Sequence, residues 1–239
     1  MRFVDLFAGL GGFHVALERL GHTCVFARDV DETLRELYKK NFGLDAAGDI
    51  RSIAPADIPT HDILCAGSPC QPFSKAGEQQ GFTCPKWGDL FDYVLAILDH
   101  HCPRYIIFEN VPNLTRHNCG RTWLALQESL RTAGCDIDHR FLSPHQFGVP
   151  QIRQRLFIIG SRSGLNAFQW PQPSPSPALS IADVLDDEPV PSALARIYPA
   201  MLAKSDPPGG AEGAVWRTAT PCLARAKCCC RSGATTPGG

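Results

Sequence analysis

Short apolar runs separated by helix-periodic stretches recur along the first two-thirds of the chain, and each pair predicts a strand followed by a helix. Phe3-Val4-Asp5-Leu6-Phe7 reads as a buried strand that runs into Ala8-Gly9-Leu10-Gly11-Gly12, after which Phe13, Leu17 and Leu20 share one helical face. A second strand spans Thr23 to Ala27, and Asp31 caps the helix that carries Leu34, Leu37 and Tyr38. Ile63-Leu64-Cys65-Ala66-Gly67 is a third apolar run, with Cys24 and Cys65 as core residues of their strands. Phe91, Val94, Leu95 and Leu98 form the stripe of a helix before the strand Tyr105-Ile106-Ile107-Phe108. Trp123, Leu126 and Leu130 form that of the helix after it, which stops at Gly134. Ile137, His139 and Phe141 alternate as a half-buried strand, and Leu156-Phe157-Ile158-Ile159 is the last. The alternation predicts an α/β fold, doubly wound on an open parallel sheet.

After Gly160 the pattern changes. Trp170-Pro171-Gln172-Pro173-Ser174-Pro175-Ser176-Pro177 sustains neither a helix nor a central strand and reads as an extended connector. Residues 1–168 are therefore one domain, and 169–239 a proline-rich connector leading to a partial second region or disordered tail. Within it, Ile181 to Leu185 suits one helical turn and Val215 to Thr218 a short strand, and from Asp206 onward the chain lacks the apolar material for a domain.

Composition narrows the class without naming a function. At 239 residues and 44% hydrophobic, the chain can bury one substantial core. No apolar run reaches the ~18–20 residues that span a bilayer, and no basic-then-apolar signal segment opens the chain, so a cytoplasmic protein with no membrane association is expected. Seven of the eleven cysteines are scattered through the α/β part, which suits free thiols. The eight histidines show no metal-ligand spacing and Cys228-Cys229-Cys230 are adjacent, so no metal site is expected. The net charge of -1 conceals a difference in sign, -4 over residues 1–150 against +3 over 151–239. A positive downstream segment is compatible with nucleic acid but is too slight to demonstrate it.

The candidate chemistry lies at strand ends. In a doubly wound sheet, ligands bind beyond the carboxyl ends of the strands. The first strand ends in a glycine turn of the kind that brings backbone close to a ligand, although the third glycine of the dinucleotide fingerprint is replaced by His14. About twenty residues on, Asp29 stands where a carboxylate meets a ribose hydroxyl. Gly48-Asp49-Ile50 offers a second carboxylate beside an apolar side chain, suited to a purine's amino group and ring face, or equally to a turn. The third strand leads into Pro69-Cys70-Gln71-Pro72-Phe73-Ser74, a rigid turn that presents a thiol as a nucleophile, and the fourth into Glu109-Asn110-Val111. Gln151-Ile152-Arg153-Gln154-Arg155 puts Arg153 and Arg155 on one side of an extended segment, a basic edge for phosphate or a base carbonyl.

Asp5-Leu6-Phe7-Ala8-Gly9-Leu10-Gly11-Gly12, Gly67-Ser68-Pro69-Cys70-Gln71-Pro72-Phe73-Ser74, Glu109-Asn110-Val111 and Gln151-Ile152-Arg153-Gln154-Arg155, in that order, resemble the blocks of the DNA cytosine-5 methyltransferase family. The resemblance covers roughly the first two-thirds of the chain and implies a Rossmann-like S-adenosylmethionine-dependent methyltransferase fold. By resemblance, Phe7, Gly9, Gly11 and Gly12 line the S-adenosylmethionine pocket, Asp29 takes the ribose, Val30 covers the adenine, Asp49 and Ile50 flank its edge, and Leu90 closes the pocket. Cys70 carries over as nucleophile, Glu109 as the group bonded to the target cytosine, and Arg153 and Arg155 as supporting contacts. The segment from Phe73 to Trp87 carries over as the loop that closes over DNA holding a flipped cytosine. The implied activity is methyl transfer to C5 of cytosine in DNA, as in bacterial restriction-modification. The family's recognition region and last conserved block are not recognisable here. That departure leaves open a truncated enzyme, the larger subunit of a split enzyme completed by a second chain, and an inactive cofactor-binding fragment. A relative acting on transfer RNA shares the same core.

Overall fold

A computed structural model describes residues 1–68 and 90–173. The expectations for Cys70, for the loop from Phe73 to Trp87, for Ile181 to Leu185, for Val215 to Thr218 and for the tail lie outside the described residues. Among the described residues, six strands and four helices follow in the order β1 Arg2–Leu6, α1 Gly12–Glu18, β2 Thr23–Arg28, α2 Glu32–Phe42, β3 Ile63–Ala66, α3 Leu90–His101, β4 Tyr105–Asn110, α4 Arg121–Thr132, β5 Asp136–Leu142 and β6 Arg155–Ser161. They make one sheet in the order β2-β1-β3-β4-β6-β5.

Alternation along β1 explains the two layers. Val4 and Leu6 point into a large core with Val94, Leu98, Leu126 and Leu130 of α3 and α4, while Phe3 packs with Leu17 of α1 on the other face. Helices therefore cover both faces. The stripes read from the sequence account for α3 and α4, whose buried residues include Val94 and Leu98, and Trp123, Leu126 and Leu130. Asp31 caps α2 by accepting from the Thr33 and Leu34 backbone N–H groups.

Three expectations need correction. The sheet is mixed rather than wholly parallel: β1, β2, β3 and β4 pair in parallel, but β6 runs antiparallel between β4 and β5. The cause is the connection, because the stretch from Ser143 to Gln154 holds only a 3₁₀ turn at Pro144–Phe147 and no helix to carry the chain back to the starting edge. Leu20 is 71% exposed and outside α1, because His22 N–H bonds Leu17 O and Gly21 N–H bonds Glu18 O, closing the helix early on Gly21. Phe141 is exposed, at the edge of the sheet where β5 has a single neighbour. The start of the proline-rich connector is docked, since Trp170 donates its indole N–H to Asp138 of β5 at 2.7 Å and Arg140 lies over its ring.

Beneath the glycine turn lies a polar cluster that the hydrophobic pattern did not announce. His14 replaces Leu20 as the buried partner of Leu17, and its Nδ1 lies 2.6 Å from the Tyr38 hydroxyl while its ring stacks on Phe42. Asp5 is fully buried beside them, and neither of its oxygens has a hydrogen-bond partner among the described residues. Burial pushes its pKa up to about 7, with Asp29 adding to the rise and the nearby His14 backbone and Tyr38 hydroxyl offsetting part of it.

Because the folded pKa lies above the ordinary value of 3.8, the protonated Asp5 is the form that favours folding. Its contribution is complete below about pH 4 and is lost as pH rises through about 7. Asp5→Asn, which stays neutral, is expected to be more stable than the parent at pH 8 by on the order of 1–4 kcal/mol and to show a flatter stability profile between pH 4 and 8. Urea unfolding across that range measures it; parallel profiles for the two proteins would show that Asp5 does not titrate there.

Candidate active site

The first strand end is shaped by backbone that only glycine tolerates easily. Phe7, Gly9 and Gly11 all have positive φ, at 59°, 54° and 82°. At Gly11 a Cβ would also lie 2.6 Å from Phe42 Cζ, so this glycine is required for space as well as for conformation. Gly9 and Gly12 differ: a Cβ on either would meet nothing within 4 Å, so the turn presents its backbone to open space. Asp29 latches the turn, with Oδ2 accepting the Gly9 N–H at 2.8 Å and Oδ1 the Asp31 N–H at 2.9 Å. The sequence assigned Asp29 to a ribose; the structure shows it first as the anchor of the glycine turn, with lone pairs remaining on both oxygens.

Asp49 stands on the adjoining segment, where it caps the Ile50–Ser52 turn. Both of its oxygens are gripped by Arg51, with Nη2 to Oδ2 at 2.6 Å and Nε to Oδ1 at 3.0 Å, which holds the carboxyl below its ordinary pKa. An amino group approaching this carboxylate must displace or share with that guanidinium. Ile50 and Leu90 are buried in the same cluster, against which Phe7 packs, while Val30 stands 56% exposed just beyond β2.

The second half of the site is built at the ends of β3 and β4. Three segments meet at Gly67, where a Cβ would sit in ordinary van der Waals contact with Phe7 O at 3.8 Å, Glu109 Oε2 at 3.9 Å and Phe13 Cε2 at 3.9 Å. Glu109 accepts from Arg155 Nε at 2.8 Å, with both side chains about a quarter exposed, at 28% and 21%. Burial raises the Glu109 pKa, and the charges of Arg155 and Arg153 offset part of that rise. Arg155 is thus brought to Glu109 as an ion-pair partner, whereas Arg153 is exposed and held through its backbone, which donates to Ser143 Oγ at 3.0 Å. A cavity of about 520 Å³ lined by Arg153, Arg155, Ser143, Phe147 and Phe157 opens beside the pair.

Asn110 and Ser143 are positioning residues that the sequence did not single out. Buried Asn110 donates to Ser68 Oγ at 2.9 Å and accepts the Val111 N–H at 2.8 Å, tying β4 to the segment that leads into Pro69-Cys70. Ser143 anchors the Arg153 segment and closes a capping box with Gln146. The only signal for either was a small polar residue next to a candidate site residue or before a proline turn. Five cysteines, Cys24, Cys65, Cys102, Cys119 and Cys135, are free, and burial raises the Cys24 pKa to about 11 and that of Cys65 well above its ordinary value. Neither is a ready nucleophile. Among the described residues no group of three His, Cys, Asp or Glu could hold a metal, and no helix is long and apolar enough to cross a membrane.

The sheet, its two helical layers and the groups gathered at its carboxyl edge define the class as an α/β methyltransferase core. Among solved structures, a Dnmt2 methyltransferase of S. pombe matches 77% of this chain and 53% of its own at 25% identity and a TM-score of 0.55. A putative DNA modification methyltransferase encoded within an E. coli prophage shares the fold at 20% identity and a TM-score of 0.64, over 79% of this chain and 56% of that one. The sequence profile of the C-5 cytosine-specific DNA methylase family matches residues 1–199, and the chain belongs to that family. The Type II methyltransferase M.HhaI of Haemophilus parahaemolyticus is 40% identical over 175 residues, 72% of this chain and 53% of the relative. M.MspI of Moraxella sp is 36% identical over 187 residues, 78% of this chain and 44% of the relative. The chain therefore spans about half the length of these curated relatives.

The opposition of burial and ion pairing at Glu109 gives a directional expectation. Arg155→Met removes the nearer positive charge and leaves the stem, so the Glu109 pKa should move further up. A carbon-13 carboxyl titration by NMR reads this directly; an unchanged or lower Glu109 pKa in the variant would mean that Arg155 does not control its protonation.

Proposed function

We propose that this chain is the cofactor-binding and catalytic part of a DNA cytosine-5 methyltransferase of the restriction-modification type, using S-adenosylmethionine. The observation that carries the reading is the half-buried Glu109–Arg155 pair beside Gly67 and Ser68, two residues before Cys70 in the sequence. A carboxyl whose pKa burial raises, together with a cysteine four residues beyond the end of β3 in the sequence, suits addition of a thiol to an electron-poor ring.

The residues present fit the cofactor. Gly9 and Gly12 leave open space over their backbone, Asp29 retains acceptor capacity for ribose hydroxyls, and Asp49 offers a carboxylate toward a purine edge. Gly11 supports this surface from below, with Phe7, Val30, Ile50 and Leu90 as its apolar surroundings. When bound, S-adenosylmethionine supplies an electrophilic methyl group.

The rest of the chemistry belongs to the chain and the base. C5 of cytosine is a poor nucleophile, and a thiolate adding to C6 converts the ring into an enamine that is nucleophilic at C5. A cysteine of ordinary pKa ~8.5 is only a few per cent ionised at neutral pH, so a neighbouring positive charge would favour the reactive form, and Arg155 is the proposed source of it. Glu109 holds a proton at ring N3 and so stabilises negative charge as the thiolate adds. After methyl transfer, loss of the C5 proton and expulsion of the thiolate restore the 5,6 double bond and free Cys70. Attack at C6 comes from above the ring plane, so the base must leave the stack, at a cost of a few kcal/mol that contacts to the extruded base offset. Arg153 and the arginine-lined cavity are the proposed contacts to that base and its backbone.

Cys70→Ser separates chemistry from binding. With S-adenosylmethionine, any missing C-terminal half supplied, and a duplex containing 5-fluorocytosine, where the C5 proton to be removed is replaced by fluorine, the parent chain should accumulate a covalent protein–DNA adduct detectable by intact mass. The serine variant should form none while binding S-adenosylhomocysteine within about twofold of the parent, since the side chain attacks the base rather than holding the donor. An adduct of the same mass in the serine variant would remove Cys70 from this role.

A further inference from the structure

Arg28, the last residue of β2, is buried in a way its surroundings do not require for packing. It is 1% exposed, and a permanently charged guanidinium placed there carries a desolvation cost that a methionine of similar length would avoid. Its donors are concentrated on one acceptor: Nε donates to Gly48 O at 2.9 Å and Nη2 donates to the same oxygen, while Nη1 has no partner among the described residues. The neighbouring backbone is already joined, with Ala47 N–H donating to Ala27 O at 2.8 Å and Asp29 N–H to Ala47 O at 3.0 Å. Gly48 also lies close to a second guanidinium, since a Cβ there would lie 3.1 Å from Arg35 Nη1. The gripped carbonyl belongs to the peptide unit that begins Asp49, so fixing it fixes where the Asp49 side chain leaves the backbone. The charge also lies within electrostatic reach of both Asp49 and Asp29.

We infer that Arg28 is a specificity-setting positioning residue for the adenosine end of the methyl donor, holding Asp49 where it accepts from a 6-amino group and disfavours a 6-carbonyl; this rests on the cofactor reading above. Arg28 touches no part of the ligand itself. Without the grip on Gly48, the Asp49 segment loses one of its ties to β2, and the two carboxylates lose a nearby positive charge, leaving Asp49 with that of Arg51 alone. A carboxylate fixed at a purine's C6 substituent attracts an amino group and repels a carbonyl oxygen, so loss of its position erodes discrimination more than it erodes the hold on the rest of the nucleoside.

Calorimetry on the full chain, with S-adenosylhomocysteine and its 6-oxo counterpart S-inosylhomocysteine, tests this. The parent should prefer the adenine compound by about tenfold or more, the scale of one hydrogen bond to a charged group. Arg28→Met should weaken binding of the adenine compound by about tenfold and bring the two compounds within about threefold of each other, with the 6-oxo compound little affected. Arg28→Lys keeps the charge but lacks the fork, and should fall between the two; it also serves if the methionine variant does not fold, as judged by thermal melting. Equal weakening of both compounds with the preference retained, or no change in either, would overturn the inference. Failure of the parent chain to bind S-adenosylhomocysteine would instead overturn the cofactor reading, and the inference with it.

Discussion

A carboxylate half-buried at a sheet edge needs a counter-charge, and the Glu109–Arg155 pair meets that need in a way that orders half of the molecule. Arg155 is the first residue of β6. In a parallel strand the first residue would lie at the amino edge of the sheet, remote from Glu109 near the carboxyl end of β4. Because β6 runs antiparallel between β4 and β5, its first residue arrives at the carboxyl edge and reaches Glu109 at 2.8 Å. A partly exposed ion pair adds little to stability, about 0–1 kcal/mol, so its importance lies in what it does to Glu109. Burial draws the carboxyl toward its protonated form and Arg155 opposes that without cancelling it. The group is left able to hold or share a proton, which is the property the proposed chemistry asks of it.

The other half of the edge is governed by backbone rather than by charge pairing. Asp29 latches Gly9, Phe42 closes the space under Gly11, and Arg28 fixes Gly48, so the glycine turn and the Asp49 segment are held by side chains from β2, α2 and the turn between them. The two halves meet at Gly67, which lies next to both Phe7 and Glu109. Asn110 extends the junction by holding Ser68, the last described residue before Cys70. The glycine turn and Glu109, the proposed donor and base sides, are therefore neighbours.

Much of this was legible in the sequence where a feature is local. The stripes of α3 and α4, the Asp31 cap and the glycine turn follow from periodicity and short-range chemistry, and the structure has them. What the sequence concealed depends on distant partners. An antiparallel β6 is a property of how a loop returns, and its apolar run reads the same in either direction. Leu20 fits the helical period, but the closing bonds to Gly21 and His22 end the helix before it. His14, read only as a missing glycine, is buried by Tyr38 and Phe42 from α2, and nothing in the hydrophobic pattern marks Arg28 as buried. Among the candidate site residues, Asp29 and Glu109 were singled out because each stands at a strand end, whereas their partners Gly9 N–H and Arg155 Nε are tertiary facts. The Arg51 grip on Asp49 is local in sequence, yet nothing in the pattern distinguishes it from a solvated arginine.

The central claim is that the carboxyl edge of this sheet holds the target base on Glu109 beside the methyl-donor pocket. The most direct measurement is a crystal structure of the chain with S-adenosylhomocysteine and a cytosine-containing duplex. The account expects an extruded cytosine with its ring N3 about 3 Å from a Glu109 oxygen, Arg155 still bonded to Glu109, and the adenosine lying over Gly9 and Gly12. A bound cytosine turned away from Glu109, or a nucleoside seated anywhere other than the glycine turn, would contradict it.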